Sequence, residues 1–134
     1  MKNLWIGFLL TFAVSTAFVA NNREDISWMN GSWKGLGYQP NITMPWEIEL
    51  ACKAAKKEFI IRYPTLNCQG YWKISKIEAN RIIFQEKIAK GEHDCIPSGK
   101  VIVTRVDDKH ISYSYFEAID GKEVLNSFST LIKQ

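Results

Sequence analysis

Cys68 and Cys95 are the residues of this chain best placed to do chemistry, and the chemistry they suit is a disulfide. They lie within residues 63–99, where two strand-like segments each carry a cysteine beside a tight-turn signal. Cys68 precedes Gly70, which reads as a turn into one strand. Cys95 falls in the loop after that strand's hairpin partner, so the two thiols are expected to meet at one end of the fold. The chain has 3 cysteines, and an odd count means one pair plus a leftover thiol, or an intermolecular bridge. Cys52 ends the segment carrying Trp46, Ile48 and Leu50 in their phase, so it is expected to point inward as a free, small hydrophobe.

Glu86 is the second candidate. It is in phase with Ile82, Phe84 and Ile88, an apolar face where an unpaired carboxylate is costly. Two roles fit: meeting the amine or hydroxyl of a ligand at the floor of the fold, or closing a structural network with Arg62, Arg105 or backbone amides. The network is the favoured expectation. Catalysis finds little support. No Gly-x-Ser-x-Gly elbow is present, and neither His93 nor His110 has a motif-linked partner. His93 and Asp94 adjoin Cys95, which a disulfide uses better. With no Cys-x-x-Cys and two distant histidines, neither a metal nor a cofactor is expected.

These residues sit on a period-two pattern. Trp46, Ile48 and Leu50 alternate with Glu47 and Glu49. Phe59, Ile61 and Tyr63 follow, then Trp72 and Ile74, Val101 and Val103, and Ile111, Tyr113 and Tyr115; residues 124–132 close the series. Turn signals fall at residues 39–41, 54–57, 79–80, 97–99, 107–109 and 120–122. About eight strands with short connections must pair antiparallel. Closing them into one up-and-down barrel removes exposed edges. The only helical candidate, residues 51–57, is short. The aromatic residues beyond residue 20, 13 of the 17 Trp, Tyr and Phe of the chain, are expected to fill the narrow interior more than to line a cavity. Tyr71, Ile83 and Phe116 fall on the outward phase, where an apolar patch would suit a protein partner.

The first 20 residues look like an export signal: Lys2, an apolar run at residues 4–14, and cleavage after Ala17 or Ala20. The run is short for a membrane span, which needs about 20 apolar residues, so no stable span is expected after cleavage. Residues 26–134 then form one domain, secreted or periplasmic. A formal charge of +3, with basic residues scattered among acids, does not suggest nucleic-acid binding.

Gly31-Ser32-Trp33, followed by Lys34-Gly35-Leu36-Gly37-Tyr38, resembles the Gly-x-Trp opening of the calycins: lipocalins, avidins and fatty-acid-binding proteins. That resemblance implies a barrel whose Trp33 plugs one end and whose Gly31 allows a tight approach. The arginine-bearing motif of lipocalins proper is absent from the last strand, which ends Ile132-Lys133-Gln134. The pattern Tyr63-Pro64, Leu66, Cys68, Gly70, Trp72, Phe84, Glu86, Ile88, Gly91, Cys95 and Gly99 is similar to a group of small exported bacterial domains of unassigned activity. It implies the fold and the disulfide, and no chemistry.

The expected function is therefore binding without catalysis. A protein-interaction module of the envelope or secretome is the first expectation, and a carrier of a small apolar or carbohydrate ligand inside the barrel is the alternative. The residues expected to bind are Tyr38, Trp46, Glu86 and Glu92, at or near the ends of the barrel where loops concentrate. An interior hollow decides between the two classes.

Overall fold

Alternation of apolar and polar side chains forces each segment to lay one face inward, and the sheet curls until its two edges meet. The computed structural model describes residues 24–134; the expected leader and its cleavage sites lie outside the described residues. The strands are β1 (Gly31–Gln39), β2 (Ile42–Lys53), β3 (Glu58–Tyr63), β4 (Cys68–Ile77), β5 (Arg81–Lys90), β6 (Ser98–Arg105), β7 (His110–Ile119) and β8 (Lys122–Lys133). Each pairs antiparallel with its sequence neighbour, and β8 returns to β1, giving a closed eight-stranded up-and-down barrel. Closure leaves no edge available for pairing with another chain.

The connections show how local chemistry sets the two ends. Pro40-Asn41 and Asp120-Gly121 make two-residue hairpin turns, the second with φ of 50° and 75°. That geometry matches the right-handed twist of the flanking strands. The β2–β3 and β3–β4 connections are single 3-10 turns, Ala54–Lys56 and Pro64–Leu66, each closed by a left-handed residue, Lys57 or Asn67. The helical candidate at residues 51–57 thus shrinks to one turn, because β2 runs on to Lys53.

Two expected turns are strand instead. Gly70 lies within β4 at a register shift after Gln69, and a Cβ there would stand 2.1 Å from the carbonyl oxygen of Lys87. The glycine serves a close strand approach, not a turn. Ser98 and Gly99 begin β6, paired with Lys87 and Glu86.

Trp33, Ile48, Leu50, Phe59, Ile61, Trp72, Ile82, Phe84, Val101, Val103, Ile111 and Leu131 form the buried core. One end of the barrel is shut. The 3-10 turn Ser27–Met29 lies across it, with Met29 fully buried, and the Trp33 indole N–H donates to the Met29 carbonyl at 2.8 Å. Lys133 Nζ lies 5.2 Å from the Trp33 ring centre, a cation–π contact on the last strand.

Candidate functional site

The other end is open, and the antiparallel order decides what gathers there. The tips of β1–β2 and β7–β8, the Pro64–Leu66 turn and the β5–β6 loop all project from it. They surround a cup of about 440 Å³ that reaches inward to Glu86, Tyr63, Tyr113 and Tyr115. Met44, Pro45, Trp46, Leu66 and Ile96 supply its apolar wall. The expectation that aromatic residues fill the interior holds for the closed half and fails here. Ser127 faces the interior of β8 where the core strands carry larger groups, and Asn126 bulges at the register shift opposite Tyr115 and Phe116.

Cys68 and Cys95 form a disulfide with their Cα atoms 6.5 Å apart, across a sequence separation of 27. It ties the start of β4 to the β5–β6 loop, so this lip of the cup is covalently fixed. Cys52 is free and buried at the opposite end of β2, and burial pushes its thiol up to about 12. A thiol so rarely ionised is a packing residue rather than a nucleophile.

Glu86 is 2% exposed and stands at the inner end of the cup. Its Oε2 accepts two hydrogen bonds, from the Trp72 indole N–H at 2.7 Å and from the Tyr63 hydroxyl at 2.7 Å. The Tyr63 and Tyr113 hydroxyls are 3.0 Å apart, which extends the chain across the barrel. The expected arginine partners are elsewhere. Arg62 and Arg105 occupy outward positions of their strands, and Arg105 pairs with Asp108. Neutral donors from β3 and β4 replace them, because Tyr63 and Trp72 share the inward phase that Arg62 lacks.

The electrostatics follow from burial. Desolvation pushes Glu86 up to about 7, against the two hydrogen bonds that favour its charged form. Burial also raises Tyr63, Tyr113 and Tyr115, which stay protonated at neutral pH. Both hydrogen bonds to Glu86 converge on Oε2, and Oε1 has no partner among the described residues. The Tyr115 hydroxyl is likewise buried without a partner.

Of the four residues expected to bind, Trp46 and Glu86 line the cup. Tyr38 points outward and stacks on Phe128 across the β1–β8 seam, ring centres 6.1 Å apart. Glu92 is exposed on the β5–β6 loop, outside the lining. The outward residues Tyr71, Ile83 and Phe116 lie on β4, β5 and β7 and make no common patch. Lys73 lies over the Tyr71 ring and Lys100 over the Phe116 ring. Sequence reasoning missed Thr65 and Leu66 as cup residues, since nothing in their types marks a rim, whereas Ile96 lies in the end loop of residues 90–98 where binding residues were expected. Tyr115 carried a signal in its inward phase and its place near the open end of β7.

Among the described residues, no group of three or more His, Cys, Asp or Glu is arranged to hold a metal ion, and no helix is long and apolar enough to cross a membrane. Compared with protein-family models and with curated proteins, the chain finds no match.

Proposed function

We propose that this chain is an exported, calycin-like binding protein that holds a small, mostly apolar ligand in the cup at the open end of its barrel and catalyses nothing. The observation that carries this reading is the hollow itself. A cavity of about 440 Å³ falls within the range of roughly 300–1,000 Å³ common for small-molecule sites. Apolar walls with a few convergent polar groups are the usual composition of such sites. The interior was the discriminator between a carrier and a protein module, and a hollow favours the carrier. Export is supported by the Cys68–Cys95 bridge, since disulfides persist in oxidising compartments.

The test uses the neutral apolar fluorophore N-phenyl-1-naphthylamine. Saturable binding with one site per chain is expected, with loss of binding in Leu66→Trp and Ile96→Trp, which place an indole in the cup. Absence of saturable binding to the folded wild-type protein overturns the reading.

A second reading has one observation in its favour. Ile42 is 52% and Met44 75% exposed at the rim, more than an apolar ligand inside the cup would need. A protein partner docked on the rim would cover them. Capture of a partner from envelope or host secretions, weakened by Met44→Glu and by substitutions at Trp46 or Glu92, would move the assignment to that reading.

A further inference from the structure

The ligand chemistry can be narrowed further, on the basis of the ligand-binding reading above. We propose that the cup selects a molecule whose polar end is a protonated amine, seated between Glu86 and Tyr115, with an apolar body extending toward Trp46, Leu66 and Ile96.

Four features converge on this choice. The first is an unused acceptor. Glu86 spends Oε2 on Trp72 and Tyr63 and keeps Oε1 without a hydrogen bond among the described residues, in a side chain that is 2% exposed. The second is the Tyr115 hydroxyl, buried without a partner and close enough to Glu86 for its charge to be felt. Its ring occupies that position because residue 99 is glycine; a Cβ there would fall 2.2 Å from the hydroxyl oxygen. An ammonium group carries several N–H donors, and the free carboxylate oxygen and the unpaired hydroxyl oxygen, on residues lining one cup with Tyr115 Oη lying over Gly99, the cross-strand partner of Glu86, offer acceptors for two.

The third feature is charge. Among the described residues no Lys, Arg or His lines the cup, whereas Asp94 adds a second carboxyl at the rim. An anionic ligand would meet acids and no compensating cation. The fourth is the wall: Tyr63, Tyr113, Tyr115 and Trp46 present aromatic rings, which attract a cation through their negative faces. A neutral alcohol could donate one hydrogen bond to Oε1 and would gain nothing from the charge or the rings.

The pH response follows. The titratable groups facing Glu86 are Tyr63 from β3 and Tyr113 and Tyr115 from β7, all held protonated by burial, with Asp94 on the β5–β6 loop. Glu86 is therefore the group that changes charge near neutrality, and an ammonium offsets the cost of its desolvated carboxylate.

The experiment compares octylamine, 1-octanol and octanoate by displacement of N-phenyl-1-naphthylamine from the wild-type protein. At about pH 8, octylamine is expected to bind about tenfold or more tighter than 1-octanol, the scale of a charge-assisted over a neutral hydrogen bond. Octanoate is expected to be weakest. At about pH 5.5 the lead of the amine shrinks while the alcohol is unchanged, because Glu86 is then protonated. Glu86→Gln should erase the lead at both pH values, and Tyr115→Phe should reduce it. Should Glu86→Gln not fold, the wild-type pH comparison decides. Equal affinities for octylamine and 1-octanol at about pH 8 would overturn the amine assignment and leave the cup as a ligand site. Saturable probe binding that none of the three compounds displaces overturns it too.

Discussion

The two ends of this barrel are made from the same alternating strands and differ in what surrounds their unpaired polar groups. At the closed end the Trp33 indole donates to the Met29 carbonyl, and Lys133 covers its ring. At the open end a buried carboxylate has one oxygen fully engaged and one idle, and a tyrosine hydroxyl is unpaired. Among the described residues each end leaves one fully buried polar atom without a partner, Trp28 Nε1 and Tyr115 Oη, but only the second borders a hollow, where the idle oxygen of Glu86 joins it. An unsatisfied group inside packed surroundings is a cost to stability. The same group facing a cavity is a place for a ligand to bind.

That contrast makes the ends respond differently to truncation. Trp33→Ala removes a side chain that is 1% exposed together with its hydrogen bond to Met29, and is expected to destabilise by about 3–5 kcal/mol. Met44→Ala, at 75% exposure on the rim, should stay within about 0.5 kcal/mol of wild type. Chemical denaturation of both variants measures the gap. Equal losses would mean that the rim is as integral to the core as the plug.

The disulfide sharpens the comparison next, because it braces only the open end. Replacing Cys68 and Cys95 together by serine releases a constraint across 27 residues, worth about 3–4 kcal/mol in the chain-entropy model. The denaturation midpoint should fall accordingly, and ligand affinity should fall with it because Cys95 lines the cup. Native Cys52 should resist alkylation at about pH 8, since burial keeps it as the thiol. Unreduced peptide maps that join Cys52 to either partner would contradict the pairing.

Glu86 gives the third effect, and its sign is unusual for an acid. Its folded-state value of about 7 lies above the ordinary 4.5, so the native state holds the proton more tightly than the unfolded chain. Its contribution to stability is complete below about pH 4.5 and is lost as pH rises to about 7, a difference of about 3 kcal/mol. Asp25 and Asp107, both exposed, and half-buried Glu78, whose values are all lowered, act in the opposite sense and only below about pH 4.5. Thermal melts should therefore fall between about pH 5 and pH 8 for wild type and be flatter for Glu86→Gln. Glu86→Leu should cost more than Glu86→Gln, since leucine strands the Trp72 and Tyr63 donors. A leucine variant as stable as wild type would show that those donors find other partners.

The closed end was far more legible in the sequence than the open one. Period two placed Ile48, Leu50, Phe59, Ile61, Val101 and Val103 inward, and an antiparallel barrel followed from strand count and turn spacing. Cys68 and Cys95 were paired correctly although Gly70 was misread as a turn, because both cysteines flank connections on the same end. The cup was not legible. It depends on how far side chains reach across the barrel and on a bulge at Asn126, neither of which leaves a mark in residue spacing. The partners of Glu86 were missed for a simpler reason. Charge complementarity pointed to arginines, whereas the inward phase selected Tyr63 and Trp72.

The smallest effect compares two turns of one geometry, one at each end. Lys57 after Ala54–Lys56 and Asn67 after Pro64–Leu66 have φ of 53° and 54°, and each donates its N–H to the carbonyl three residues earlier. Left-handed backbone costs an ordinary L-residue roughly 1–2 kcal/mol, and asparagine tolerates it better. Both residues are exposed, so side-chain packing does not confound the exchange. Lys57→Asn should stabilise by about 0.5 kcal/mol, and Asn67→Lys should destabilise by a similar amount. Neither should move ligand affinity, because neither residue lines the cup. If Lys57→Asn instead lowers the denaturation midpoint, the lysine contributes through its charge, and its ionic-strength dependence would show it. If Asn67→Lys weakens binding with unchanged stability, the β3–β4 turn shapes the mouth through its backbone, and the open end is more sensitive to turn chemistry than the closed one.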